Sequence, residues 1–297
     1  MEIIRYNTAK DIDVLFENGE KVFHKQLHLF NSGSIKQPEI RIGYTKYSNE
    51  GELYKVVEYV NSQNVIVEFQ DKWKFRTKVS WQKVKNGSIK NPYHPNKYGG
   101  IVGTNKDINQ EESFVISKSK EYEIWYNMLI RCNDIKFKDE HYTYEKCTLD
   151  KKWFCFWNFY LWCIAQKNYT NWIDNCNWAI DKDISIKRNK VYSEKTCFIV
   201  PKSINNLLLK HDKRRGKYPI GVTKRKSDGM FEAQCRNPII NKYVTIGLYS
   251  NAMDAFIAYK TYKENIIKSV AKQEYSKMNI TQECYLALLD YVVEIND

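Results

Sequence analysis

The first hundred residues repeat themselves, and this duplication restricts the N-terminal part of the chain to a fold that can be built twice in succession. Residues 3–16 read IIRYNTAKDIDVLF and residues 56–69 read VVEYVNSQNVIVEF. Tyr6 aligns with Tyr59, Ile12 with Val65, Val14 with Val67 and Phe16 with Phe69. After a one-residue insertion the match resumes, Ser34-Ile35-Lys36 with Ser88-Ile89-Lys90 and Pro38 with Pro92. Apolar residues recur at every second position in both copies, the pattern of half-buried strands. Asn18-Gly19 and Asn86-Gly87 supply turns, since Gly and Asn tolerate the positive φ that tight turns need. Two small antiparallel β modules are therefore expected over residues 1–50 and 51–95, within an α+β multidomain chain.

These modules resemble SH3-like barrels in size, and neither holds a plausible catalytic cluster. His24 and His28 are four apart, but in a β-rich context that spacing does not put them on one helical face, and both are expected at the surface. Residues 96–116 are rich in Gly and polar side chains and are expected to form a linker. No GK[ST] follows Gly99-Gly100, so this segment is not a phosphate-binding loop.

From Ser117 the periodicity becomes helical. Tyr122, Trp125, Met128, Leu129 and Cys132 recur at helix spacing, with Ser117 or Ser119 available as N-cap. A second helix is expected over Lys152–Gln166, where aromatic residues occupy nearly every side and call for burial. The eight cysteines include no CxxC pair of the kind structural zinc sites use, so buried reduced thiols are expected, and no metal or other cofactor. No apolar run spans a bilayer, and the opening MEIIRYNTAKD lacks the apolar core of a signal peptide. The expected location is the cytoplasm of a host cell, without a membrane partner.

The runs WYNMLIRC, HYTYEKCTLDKKW and DKDI…NKVYS…TCFIVPKSIN together resemble phage-encoded proteins of the HNH homing-endonuclease type over about residues 120–215. The resemblance implies a ββα-metal element with strands at Ile180–Ile186 and Thr196–Val200 and a helix from about Ser203, in a segment spanning 117–216. A nuclease of that type needs a His to deprotonate water, metal ligands from His or Asp, and an orienting Asn. Here the first strand offers Asp181 and Asp183 and no His. Asn189 fits the middle position; Asn205 and Asn206 stand where a helix-borne ligand belongs. Asp181, Asp183 and Asn205 are thus vestigial metal candidates, His141, His211 and Asp212 lie outside the motif, and no catalytic residue is assigned.

Residues 210–226 carry Lys210, Lys213, Arg214, Arg215, Lys217, Lys224, Arg225 and Lys226 against a single acid, Asp212. With a net charge of +12 over 297 residues, this cluster is the leading candidate for contact with phosphates or an acidic protein face. Over residues 217–297 the chain resembles the AP2-type domain, a three-stranded sheet packed on a helix. Strands are expected at Tyr218–Thr223, Phe231–Arg236 and Tyr243–Leu248. Ser250 would cap a helix whose apolar face is Ala252, Ala255, Phe256, Tyr259, Tyr262 and Ile266. In that family the sheet enters the major groove, which would turn Lys224, Arg225, Gln234, Arg236 and Thr245 outward, although the usual tryptophans are missing here. A last helix is expected over Thr281–Val293.

Chain length, the duplicated modules and the degenerate HNH segment also resemble phage counter-defence proteins of the Gabija anti-defence type. That resemblance implies a homo-oligomer that binds a host nuclease complex and blocks its recognition and cleavage of DNA. The alternatives are an HNH-type homing endonuclease and a DNA-binding protein. If the basic run meets phosphates, duplex affinity should fall steeply with salt, because each neutralised phosphate releases condensed counterions. Replacing Arg214, Arg215 and Lys217 together with Ala should flatten the plot of log affinity against log salt, by about 0.9 for each phosphate that the variant no longer neutralises. An unchanged slope in a fluorescence-anisotropy titration would show that the run is a solvated surface.

Overall fold

The two N-terminal copies end in the same helix-stopping bond. The computed structural model describes residues 1–36, 41–104, 118–208, 217–295 and 297. Lys210, His211, Asp212, Lys213, Arg214, Arg215, Pro38, Ser117 and most of the expected linker lie outside the described residues. The chain divides into two units, 1–94 and 95–297. In the first, β1 (Glu2–Thr8), β2 (Asp11–Leu15) and β3 (Lys21–Lys25) form an antiparallel meander followed by α1 (Leu27–Asn31). Then β4 (Thr45–Tyr47), β5 (Leu53–Asn61), β6 (Asn64–Phe69) and β7 (Arg76–Val79) form a second meander, followed by α2 (Trp81–Asn86). The Ser34 amide donates to the Leu29 carbonyl at 2.8 Å and the Ser88 amide to the Lys83 carbonyl at 3.2 Å, equivalent positions in the two copies. Gly33 and Gly87, at φ +65° and +72°, supply the left-handed residue that such a helix stop requires.

Ile12 and Val14 are fully buried, as are their counterparts Val65 and Val67, and Ile35 and Ile89 close the two cores. The copies differ in cohesion. Among the described residues the first core buries only Ile12, Val14 and Ile35. The second adds Tyr54, Val56, Phe69, Trp81 and Val84, and it reaches back to Thr45 because β4 pairs with β5. Tyr54 donates its hydroxyl to the Val84 carbonyl at 2.6 Å, and burial pushes its phenol up to about 12.

The second unit starts inside the expected linker, part of which is docked. Ile101 donates to the Phe154 carbonyl and accepts from the Phe156 amide, at 2.8 and 2.9 Å. Gly100 lies so close to α3 (Lys120–Asn133) that a Cβ there would sit 2.3 Å from Leu129 Cδ1. Ser119 caps α3 by accepting from the Tyr122 amide at 3.1 Å. Then follow α4 (Ile135–Glu140), β8 (Thr148–Leu149), a 3-10 turn at Lys151–Phe154, α5 (Phe156–Ile164) and α6 (Tyr169–Asp174). The expected 152–166 helix is split at Cys155, whose extended backbone forms a bridge with Ile101. Its aromatic residues are buried all the same: Trp153, Phe156 and Phe159 pack with Trp125 and Trp172. The Trp125 indole donates to the Trp153 carbonyl at 2.7 Å, as a buried N–H must find a partner.

Next, β9 (Trp178–Asp181), β10 (Val191–Tyr192), β11 (Phe198–Pro201) and α7 (Lys202–Leu208) follow in order. β9 pairs antiparallel with β11, and β10 parallel with β8. Finally β12 (Val222–Lys224), β13 (Phe231–Asn237) and β14 (Lys242–Tyr249) form a three-stranded antiparallel sheet, followed by α8 (Ala252–Ser276) and α9 (Gln282–Leu289). The cap of α8 is Asn251, one residue past the expected Ser250, and it accepts from the Asp254 amide at 2.9 Å. Thr281 caps α9. Ala255, Phe256, Tyr259 and Ile266 face the core as expected. Ile184, Val200, Ile204 and Leu207 join that same core, so the segments on either side of residue 216 fold around one apolar interior. Among the described residues no helix is long and apolar enough to cross a membrane.

Gly221 marks where β12 meets α8. Its φ is +75°, and a Cβ there would lie 2.0 Å from the Tyr259 ring. Gly221→Ala should therefore cost about 2–5 kcal/mol, combining left-handed strain with overpacking. Gly229→Ala, at a similar φ but with nothing nearer than the Lys224 side chain at 3.8 Å, should cost only the strain, about 1–2 kcal/mol. Urea denaturation midpoints of the two variants check the difference.

Candidate nucleic-acid interface

The strand–strand–helix order expected around residues 178–208 is present, but its polar residues serve the backbone. β9 ends at Asp181 instead of running on to Ile186. The Asp181 carboxylate turns back to accept from the Asp183 and Ile184 amides at 2.7 and 3.0 Å, which ends the strand in a tight turn. Asp183 pairs with the Lys182 ammonium at 2.8 Å. Asn189 donates to the Lys182 and Val191 carbonyls at 2.8 and 2.7 Å and accepts from the Val191 amide at 3.0 Å, clasping the loop shut. Asn205 is half-buried on α7 and Asn206 is exposed. His141 stacks on Phe137 with ring centroids 4.1 Å apart, at the end of α4.

Among the described residues one group of three His, Cys, Asp or Glu side chains has its ligand atoms drawn together: Asp11, Asp13 and His24, in the first β module. His24 is at the surface, as expected from the sequence. Arg5 bonds both carboxylates, Asn7 donates to Asp11 at 2.9 Å, and the His24 ring bonds Asp11 at 2.8 Å. The Arg5 guanidinium holds the Asp13 carboxyl down to about 2. The positive charge that a cation would bring is already supplied by Arg5, so the cluster is a polar clasp across β1 and β2. The eight cysteines are free thiols, of which Cys176 alone is exposed. Burial pushes Cys132, Cys197 and Cys284 up to about 12, which keeps them protonated and poor ligands.

The three-stranded sheet packs one face on the core and leaves the other outside it. Val222, Ala233 and Cys235 point into the core, which turns Glu232, Gln234 and Arg236 of β13 to the other face by simple alternation. Across the ladder Gln234 stands opposite Thr245, and Arg236 opposite Tyr243. Thr245 donates to the Glu232 carboxylate at 3.1 Å. Arg225 and Lys226 are exposed at one end, in the β12–β13 turn. Lys224 is exposed beside them, but two residues from the buried Val222 and opposite Phe231 it lies on the core side of the sheet's edge and not on the outer face expected for it. Lys224 lies 5.4 Å from the Phe231 ring centroid, and Arg225 pairs with Asp228 at 3.5 Å. Arg236 marks the other end, donating to Asn241 at 2.9 Å. Phe231 and Arg236 are five residues apart on β13, so the cationic ends are separated by about 17 Å, or about five base-pair steps. Lys217 is exposed and sits 5.4 Å from the Tyr218 ring centroid.

The hairpin between β13 and β14 adds residues that no sequence motif marks. Ile239 and Ile240 are each 53% exposed and Tyr243 is 73% exposed, beside the exposed Lys242. Strict alternation from the buried Cys235 and its partner Val244 would have placed Tyr243 on the outer face. The isoleucines carry no such signal, since an apolar pair reads as core. No family model matches this chain, and no curated protein or solved structure matches it either.

The role of Asp181 is open to direct test. Burial raises its carboxyl above the ordinary range, more than the two amide bonds lower it. The folded state therefore binds a proton more readily than the unfolded one, and stability falls as pH rises through the raised value. Asp181→Asn keeps the turn-capping oxygen and removes the charge, so it should hold or raise stability at neutral pH and abolish that fall. Asp181→Ala loses the cap and should cost about 0.5–2 kcal/mol. Urea denaturation of the three proteins from the carboxylate range up to neutral pH would show it; equal loss in both variants would refute the capping role.

Proposed function

We propose that this chain acts by binding and does not cut: a phage-type DNA-binding protein in which a nuclease-like strand–strand–helix element is kept for its fold. The observation that carries this is the outer face of β13 and β14, where hydrogen-bonding side chains lie between cationic ends. Arg225, Lys226 and Arg236 suit phosphates, while Gln234, Thr245 and Glu232 suit base edges. A two-stranded ribbon fits the major groove, where Gln pairs with adenine and a carboxylate accepts from cytosine. The AP2-like resemblance favours the same docking, and the basic run at 210–217 precedes the sheet in sequence. Asp181 and Asn189 are engaged with backbone, so the HNH-like resemblance favours a scaffold over a nuclease.

A second proposal rests on the exposed hairpin tip. Ile239, Ile240 and Tyr243 beside Arg236 and Lys242 form an apolar centre with a cationic rim, a composition suited to a protein partner. This favours the counter-defence role, in which copies of the chain bind a host nuclease complex of the Gabija type and keep it from DNA. Several modules joined in one closed assembly would gain affinity through effective concentration.

One set of variants separates these roles. On the DNA proposal, Arg236→Ala should weaken duplex binding on all sequences, and Gln234→Ala should relax preference at one base position by about 1–3 kcal/mol. No cleavage should appear with magnesium or manganese. Metal-dependent nicking abolished by Asp181→Ala would restore the nuclease alternative. On the counter-defence proposal, expression in cells carrying a Gabija-type system should restore phage growth. That protection should survive Asp181→Ala and be lost when Ile239 and Ile240 are both replaced by Ser. Light scattering should then give a mass well above the 35.4 kDa monomer. A strict monomer that binds one DNA sequence tightly and gives no protection would leave the first proposal alone.

A further inference from the structure

One turn in the second β module differs from its twin in a way that the shared fold does not require. Between β6 and β7 the chain reads Asp71-Lys72-Trp73-Lys74-Phe75, whereas between β2 and β3 the first copy reads Glu17-Asn18-Gly19-Glu20. Trp73 is 48% exposed, the one exposed tryptophan among the described residues, so no core demands it. It is held firmly all the same. The Asp71 carboxylate accepts from the Trp73 and Lys74 amides, each at 3.0 Å, and Lys74 takes a left-handed φ of +51°. One face of the indole stacks on Tyr93, with ring centroids 4.7 Å apart and planes 14° from parallel. Tyr93 packs edge-on against Phe75, and Phe75 stacks on the fully buried Phe69. The exposed indole thus ends a column of rings rooted in the core.

The charge around this column is out of balance. Residues 72–94 carry seven Lys or Arg and no Asp or Glu, while the matching residues 19–40 of the first copy carry three Lys and two Glu. Lys72 and Lys74 flank Trp73 and are exposed. The Lys72 ammonium lies 5.1 Å from the indole centroid, and the Lys74 ammonium donates to the Gln70 amide oxygen at 3.4 Å. The neighbouring carboxylates are engaged: Asp71 also accepts from the Asn91 side-chain amide, Glu68 pairs with Arg76, and Glu52 meets Asn91 and His94. We propose that this turn binds single-stranded nucleic acid, with one unpaired base on Trp73 and the phosphates beside it met by Lys72 and Lys74. The indole offers the flat surface on which any base stacks, and Tyr93 behind it keeps it in place, so little freedom is lost on contact. Lys72 sits over the ring as an exposed, flexible cation, free to move to a phosphate. A duplex keeps its bases stacked inside, so a ring at a hairpin tip selects a strand with free bases. Acidic side chains of a protein would match the lysines but offer the indole no flat partner. DNA and RNA strands share this chemistry, and the experiment separates them.

Fluorescence anisotropy of the full chain, with a labelled thymidine octanucleotide and with the same backbone lacking bases, separates stacking from charge. Trp73→Ala should weaken binding of the octanucleotide by about 5- to 150-fold, the range for one stacked base, and leave the abasic strand within about twofold. Trp73→Phe keeps a flat ring and should lose less than about threefold. Lys72→Gln with Lys74→Gln should weaken both strands and flatten the plot of log affinity against log salt by about 1.4, at about 0.7 for each phosphate. A uridine octanucleotide bound equally would make the site blind to the sugar; tighter or weaker binding would assign it to RNA or to DNA. Repeating the series with Arg214, Arg215 and Lys217 replaced by Ala keeps the other basic run from carrying the binding. Duplex affinity should stay within about twofold in Trp73→Ala, which separates failure here from failure of the role proposed for the sheet face. Equal binding by Trp73→Ala and the parent chain, an equal loss on the abasic strand, or competition by polyglutamate as strong as by the octanucleotide would overturn the proposal.

Discussion

The apolar stripe of α8 is the interaction on which the second unit depends. The helix has 25 residues and runs about 37 Å, longer than the sheet it covers. Its first turns bury Ala255, Phe256 and Tyr259 against β12, β13 and β14, and its later turns carry the same core on through Ile266, Ile267, Val270 and Ala271 to α9. Val200, Ile204 and Leu207 come to it from β11 and α7. Without that helix neither the three-stranded sheet nor the strand–strand–helix element has enough apolar area to bury by itself. Coupling them seats both elements on one core and leaves the outer face of β13 outside it.

The same dependence explains what the polar residues around β9 and β11 do. A site that cuts DNA must leave its ligands free to meet metal and water, whereas a site that holds a core together must satisfy every polar group it buries. Asp181 ends a strand, Asn189 closes a loop, and Lys182 is buried with its ammonium bonded to both Asp183 and the Asn189 carbonyl. Each side chain has a structural duty, and metal coordination would have to break it.

Much of the fold was legible in the sequence where the cause is local. The period-two apolar residues of the two modules and the cap at Ser119 follow from neighbours within a few positions, and each is found, whereas the short helices α1 and α2 that close the modules carry no such pattern. Features set by distant partners were not legible. Cys155 breaks a good helical pattern because Ile101, 54 residues earlier, pairs with it. β4 is three residues long and exists through β5. The outward positions on β13 and β14 could be read from alternation, while the exposure of Ile239 and Ile240 at the hairpin tip could not, since an apolar pair reads as core.

The duplicated modules share one geometry but not one strength. The second is held by Trp81, Tyr54 and Phe69, whereas the first closes on three aliphatic side chains and the Arg5–Asp13 clasp. Under tension along the chain they will not yield together. The first copy is the weak link and should unravel at low force, releasing slack while its twin stays intact, in keeping with the spread of local stabilities inside one protein. A duplication that looks symmetrical on paper is thus, mechanically, a fuse placed in series with an anchor.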